Sequence, residues 1–215
     1  MYFNFKTMKP ILFFVFFVIA IADISFAQND SIKKLENSYA FRFLPSVKDN
    51  IYGIGIGLFG SEVICNVTHV RRSHGLNIQI IGQGLFVPLN RKAFSYNVLF
   101  ATDTSWMLRE NHKFKAIHNG VLISSFGTMT EASNGIVLSG LSSLGYYLNG
   151  LGINLLSSKY TYVNGLSISL NNQSYMVKGL QVGLINKTRK LKGFQIGLWN
   201  CNEKRKLPLI NWSFK

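Results

Sequence analysis

The sequence predicts an all-β fold, an antiparallel meander closed as a β-barrel of roughly 10–12 strands. A glycine returns at intervals of 14 or 15 residues, which indicates an internal repeat. Apolar and polar residues alternate with a period of two after residue 39, and no long stretch has helical spacing. The repeat glycines are Gly120, Gly135, Gly150, Gly165, Gly179 and Gly193.

The first 27 residues have the composition of a cleaved signal peptide. Lys6 and Lys9 precede an apolar run at residues 11–22, and Ser25-Phe26-Ala27 offers small residues at the cleavage positions. The run is shorter than the ~20 residues that a membrane-spanning helix needs. We therefore predict a signal peptide at residues 1–27, a short polar segment at 28–38 and a single β-repeat domain at 39–215.

The mature chain is strongly basic, with 21 Lys or Arg and 8 Asp or Glu after removal of the leader. For an exported protein this balance indicates outer-membrane lipid or lipopolysaccharide as a partner rather than nucleic acid. The basic residues between the last two repeat units are interpreted as solvated loops; they are Lys187, Arg189, Lys190 and Lys192.

Each repeat unit has two different faces. In the unit Lys178–Asn186, the residues Leu180, Val182 and Leu184 alternate with Gly179, Gln181 and Gly183. Side chains alternate across a strand, so one face is aliphatic and the other small and polar. Glycine on a water-exposed outer face would weaken strands, which favours a lipid-facing aliphatic surface. The residues predicted to face the lumen are Gln181, Gly183, Gln195 and Gly197.

A repeat of this length divides into a strand of about nine residues and a connection of about five, which suits a hairpin but not a parallel crossover. The alternative is a β-solenoid of stacked coils, each of 14–15 residues, with Asn ladders. Its second side would have to come from segments such as residues 186–192, which offer only Leu191 to a core. We therefore favour the barrel.

The last predicted strand, residues 207–214, places Ile210, Trp212 and Phe214 on one face. A terminal alternating strand ending near an aromatic residue resembles the signal by which outer-membrane barrels are recognised for insertion. It predicts the barrel-assembly machinery as a partner.

The unit Lys-Gly-aliphatic-Gln-aliphatic-Gly-aliphatic-aliphatic-Asn, followed by Leu207-Pro208-Leu209-Ile210-Asn211-Trp212, resembles the surface repeat-containing proteins exported by Gram-negative bacteria. The clear match covers residues 119–214. The resemblance implies an outer-membrane or cell-surface location, and it implies no catalytic residues.

No residue is predicted to be catalytic, to bind a cofactor or to hold a metal. The best polar cluster is His69, Arg71, Arg72, Ser73 and His74, with Asp103 and His112 elsewhere, but nothing in its spacing requires a catalytic arrangement. Cys65 and Cys201 could form a disulfide or be two apolar strand residues.

These observations predict an exported outer-membrane or cell-surface β-repeat protein with a structural or porin-like role. Two alternatives stay open at this point. One is a soluble surface adhesin or binding β-solenoid, and the other is an outer-membrane barrel hydrolase.

Overall fold

The computed structural model describes residues 37–44, 50–60, 71–82 and 116–214, whose ten strands form one sheet in sequence order. The predicted signal peptide lies outside the described residues. Within them there is no helix long and apolar enough to cross a membrane. The strands are β1 (Asn37–Leu44), β2 (Asn50–Gly57), β3 (Arg71–Gln79), β4 (Ala116–Ser124), β5 (Gly127–Ser139), β6 (Ser142–Asn154), β7 (Ser157–Ile168), β8 (Asn171–Val182), β9 (Ile185–Cys201) and β10 (Lys206–Ser213).

Strands β1 to β9 pair in parallel, each with the next in the chain. The prediction of an antiparallel barrel is therefore wrong, and the alternative, a β-solenoid, is confirmed, with about seven turns. The error lies in the predicted connection. Residues 186–190 form no hairpin loop but belong to β9 and build the second side of a coil.

The repeat glycines form a column along the solenoid. Eight of them pair in register, since Gly53 and Gly75 precede the six predicted positions, and all eight have positive φ. At Gly165, with φ +136°, a Cβ would lie 2.2 Å from the carbonyl oxygen of Gly150. Each repeat glycine thus bends a continuous strand at a corner of the coil, where a side chain would meet the backbone of the previous coil.

The interior is filled by two facing columns of complementary size. Leu148, Val163, Val177 and Leu191 form one apolar column two residues before each glycine. Two residues after the glycine, the same four coils carry Gly152, Ser167, Gln181 and Gln195. A Cβ on Gly152 would lie 2.7 Å from Leu148 Cδ2, so the small residue makes room for the large one.

Buried amides complete the core by bonding from coil to coil. Gln195 Nε2 donates to Gln181 Oε1 at 2.8 Å, and Asn211 Nδ2 donates to Gln195 Oε1 at 3.0 Å. Gln181 and Gln195 therefore lie in a packed interior rather than along a water-filled lumen. Gly183 lies at the turn before β9 and Gly197 lies within β9, and each is close to the backbone of the preceding coil.

Strand β10 reverses direction and caps the C-terminal end of the solenoid. It pairs antiparallel with residues 193–201 of β9, with Ile210 opposite Ile196 and Trp212 opposite Phe194. A capping strand protects an edge that would otherwise be open to pairing with other chains. In this structure the predicted terminal signal strand is therefore a cap, and its recognition by an assembly machinery stays a prediction.

Candidate binding surface

One side of the solenoid is a flat apolar sheet, which we call the aliphatic face. Its residues follow each column glycine at the first, third and fifth positions, and every one is half-buried or exposed. Over the continuous range 116–214 the face consists of Val121, Ile123, Ile136, Leu138, Leu151, Ile153, Leu155, Leu166, Ile168, Leu170, Leu180, Val182, Leu184, Phe194, Ile196 and Leu198, extended by Ile210 and Trp212 of the cap.

The aliphatic face is large for a solvent-exposed surface. Strands β4 to β10 at ~4.8 Å spacing, with about five residues each, span about 30 by 16 Å. Leu155 is 60% exposed and Leu198 is 63% exposed, so the apolar side chains are not covered by neighbouring coils. Contiguous apolar patches of more than a few hundred Å² mark sites of interaction with proteins or membranes.

A corner column borders the aliphatic face along one long edge. In the middle coils it is an amide ladder: Asn149 Nδ2 donates to Asn134 Oδ1, and Asn164 Nδ2 donates to Asn149 Oδ1, each at 2.7 Å. In the last two parallel coils the same register position is Lys178 and then Lys192, both exposed. Lysines at such an edge can extend their charged ends away from apolar surface while their stems lie along it.

Within residues 116–214, the aromatic residues of the aliphatic face lie at its C-terminal end. The rings of Phe194 and Phe214 meet edge to face, with centroids 5.2 Å apart. The Arg205 guanidinium lies 4.7 Å from the centroid of the Trp212 ring. Trp199, at the opposite long edge from the lysines, is 48% exposed. Aromatic and basic side chains beside an apolar surface are typical of a membrane–water interface.

Basic residues outnumber acidic residues in this part of the chain. Residues 116–214 contain nine Lys or Arg and two Glu, at positions 131 and 203. The basic side chains lie outside the aliphatic face, on its border, on the second side and around the cap. The surface is therefore apolar on one side and cationic elsewhere.

The polar cluster considered for catalysis is not brought together in the described part of the chain. Ser73 and His74 are neighbours on β3, so their side chains point to opposite faces. Ser73 Oγ accepts from Asn77 Nδ2 at 3.4 Å, whereas the His74 ring stacks on Tyr52 with centroids 4.8 Å apart. His69, Asp103 and His112 lie outside the described residues, as do the side chains of Arg71 and of Cys65. Cys201, the other cysteine of the predicted disulfide, is half-buried at the end of β9.

His118 is buried in the coil above Ser73 and shapes the expected response to acid. Burial, with a smaller contribution from the neighbouring His74, lowers the pKa of His118 from its ordinary 6.5 to about 4. The unfolded chain therefore takes up a proton below pH ~6.5, before the folded chain does, and stability falls as the pH is lowered. We expect a loss of up to about 3 kcal/mol in the free energy of unfolding between pH ~7 and ~4.

Urea titrations at several pH values would measure this effect. The variant His118→Leu, which keeps a side chain of similar size, should lose most of the pH dependence in this window. An unchanged slope in the variant would assign the acid sensitivity to another group.

No group of three or more His, Cys, Asp or Glu side chains in the described segments is placed to hold a metal ion. The interpretation of four basic residues as loop residues is wrong. Lys187, Arg189, Lys190 and Lys192 are strand residues of β9, not loop residues. The sequence contained one signal for this, because Asn172 and Asn186 are separated by the same interval as the repeat glycines.

Comparison of the chain with protein-family models, curated proteins and solved structures gave no match. The aliphatic face and its cationic border are therefore the features on which a function can be argued.

Proposed function

We propose that this protein is an exported, surface-associated β-solenoid that binds anionic lipid surfaces, such as the outer membrane and its lipopolysaccharide, through the aliphatic face. The single observation that carries the proposal is the exposed aliphatic sheet itself. On the side of each coil that follows the column glycine, the inward positions are mostly small or polar, such as Ser167, Gln181 and Gln195, while the outward positions are Leu, Ile and Val. Water is a poor environment for such a sheet, and lipid is a suitable one.

Charge favours lipid over a second copy of the chain as the occupant. Two copies packed face to face would bring together two chains that each carry nine basic and two acidic residues within residues 116–214. An anionic membrane supplies the opposite sign, and Lys178 and Lys192 border the face where phosphates would lie. The signal peptide predicted at residues 1–27 supports delivery to this compartment.

The proposal places the solenoid on a membrane surface rather than across it. Its aliphatic side would sit in the headgroup and upper acyl region, with the amide-rich second side toward water. This is a binding and structural role, and it requires neither a cofactor nor a catalytic group.

Replacement of Leu170 and Leu184 together by Gln tests the proposal, because both are exposed in the outermost column of the face. We expect the variant to fold and to bind vesicles of phosphatidylglycerol and phosphatidylcholine about tenfold more weakly, since two side chains lose the gain from leaving water. Vesicle flotation measures the binding. Trp199 and Trp212 should report it as a blue shift of fluorescence that the variant lacks.

The matched control replaces the same two residues by Met, which keeps the surface apolar and should bind as the original chain does. Equal flotation of the Gln and Met variants would refute the role of the face. A dimer in sedimentation experiments that the Gln variant loses, without any vesicle binding by the original chain, would assign the face to a second copy instead.

A further inference from the structure

A cavity of about 210 Å³ lies at the C-terminal end of the solenoid, beside the cap. Strand β10 pairs with β9 only from Gly193 to Cys201. The part of β9 before Gly193 therefore pairs with β8 on one side and is not covered by the cap on the other. The turn after β9 reaches back over it, and Glu203 N donates to the carbonyl oxygen of Arg189 at 3.1 Å. The cavity is bounded by this edge, the turn and the end of β10, and it is partly open to solvent.

Four basic residues line this cavity, namely Arg189, Lys190, Lys192 and Lys204, together with one acidic residue, Glu203. Arg189 Nε lies 3.8 Å from Glu203 Oε1, so the single carboxylate is engaged by the arginine. Among the described residues, the three lysines have no carboxylate within ion-pair distance, and the other described acid, Glu131, is on β5. The cavity therefore carries an excess of positive charge that a bound anion would neutralise.

The turn fixes the backbone of one of these lysines. Asn202 Oδ1 accepts from the backbone nitrogens of Lys204 and Arg205, at 3.0 and 2.9 Å. Lys190 and Lys192 lie at alternate positions of β9, and Ser213, which carries a hydroxyl, also lines the cavity. Met176 and Leu191 supply an apolar part of the lining.

We propose that this cavity binds a phosphate group carried by an organic molecule. Several lysines around a small volume suit the compact charge of a phosphate, and a hydroxyl adds a neutral donor. The apolar part of the lining suits an esterified phosphate rather than a free ion. The carrier is either a lipid headgroup, in which case the inference rests on the proposed function, or a soluble phosphate ester, in which case it does not.

Titration of the mature chain with glycerol phosphate, followed calorimetrically, tests the cavity without any membrane. We expect saturable binding that the variant Lys190→Gln, Lys204→Gln weakens about tenfold or more, because two charge-assisted contacts are lost. Both lysines are exposed, so the variant should fold. The single variant Lys192→Gln offers a second measurement on the same lining and should weaken binding in the same direction.

The matched control is Lys159→Gln, Lys187→Gln, which removes the same charge from exposed positions on the same side but outside the cavity. Its binding should stay within about twofold of the original chain, because exposed charges at a distance are screened. An equal loss in the control and the cavity variant would refute the site, since binding would then follow net charge alone.

A second titration uses vesicles of phosphatidylcholine with or without phosphatidate and separates the two sources of phosphate. Preference for phosphatidate vesicles that the cavity variant loses, without binding of glycerol phosphate, assigns the site to a lipid headgroup. Absence of both overturns the inference. The Gln variant of the aliphatic face separates the two proposals. If it loses vesicle binding but still binds glycerol phosphate, the face binds the membrane and the cavity binds phosphate independently of it.

Discussion

Gly165→Ala is expected to destabilise the protein by about 3–5 kcal/mol and to prevent folding of the central coils in a marginally stable chain. The backbone there has φ +136°, a conformation that costs an L-residue about 1–3 kcal/mol. In addition, the new Cβ would lie 2.2 Å from the Gly150 carbonyl oxygen, which is backbone and cannot rotate away. Separation of two coils to relieve this clash would weaken the hydrogen bonds on both sides of the corner.

The matched control is Gly55→Ala, at a glycine without positive φ. A Cβ there would lie 3.2 Å from Leu44 Cδ1, a side-chain atom that can move by a few tenths of an ångström. Urea denaturation of both variants, followed by circular dichroism, measures the difference. Equal stability of the two variants would mean that the glycine column is not required for the coil geometry.

Asn186→Ala is expected to lower the free energy of unfolding by about 3 kcal/mol, because it interrupts the buried amide ladder at its centre. Asn186 is 0% exposed, accepts from Asn172 Nδ2 at 2.8 Å and donates to Asn200 Oδ1 at 2.7 Å. It also donates to the carbonyl oxygen of Ile196 at 2.9 Å. Without it, an amide and a carbonyl remain buried with fewer partners, and a small cavity is left.

The exposed ladder provides the comparison for this variant. Asn164 donates to Asn149 at the same 2.7 Å, but it lies at the surface, where water can replace the lost bond. Asn164→Ala should therefore lower the free energy of unfolding by no more than about 1 kcal/mol. Equal losses at the two positions in thermal or urea unfolding would show that burial of the inner ladder is not what stabilises the coils.

The two faces of each repeat could be predicted because alternation is a local property of a strand. Leu180 and Gln181 point in opposite directions in any strand, whatever its partners. The inference that the small polar side is enclosed and the aliphatic side faces outward therefore does not depend on the choice between barrel and solenoid. The residues of the aliphatic face could be predicted on the same ground. The strands that lie beside one another in that face could not.

The direction of pairing could not be predicted in this way. Residues 186–190 contain Asn, Lys, Thr and Arg, which are typical of a loop, and only their position in the stack reveals that Asn186 and Thr188 point inward. The prediction counted only apolar residues as core. In a parallel stack an inward amide can bond to the equivalent amide one coil away, and in this way Asn172, Asn186 and Asn200 satisfy one another in the interior.

The basic cavity could not be predicted from the sequence either. Lys190 and Lys204 are separated in sequence by half of β9 and a turn. Both line the cavity because the pairing of the cap with β9 ends at Gly193 and leaves the earlier part of β9 open. No spacing in the sequence indicates where a cap ends.

The glycine interval, the alternation and the excess of basic residues are properties of the chain, and they specify repeated strands with one aliphatic and one polar side. Parallel stacking, the amide ladders and the meeting of lysines beside the cap depend on residues a full coil apart. Hydrogen bonds between coils satisfy polar side chains that would be costly to bury alone, so a pattern that indicates a surface loop becomes part of a core.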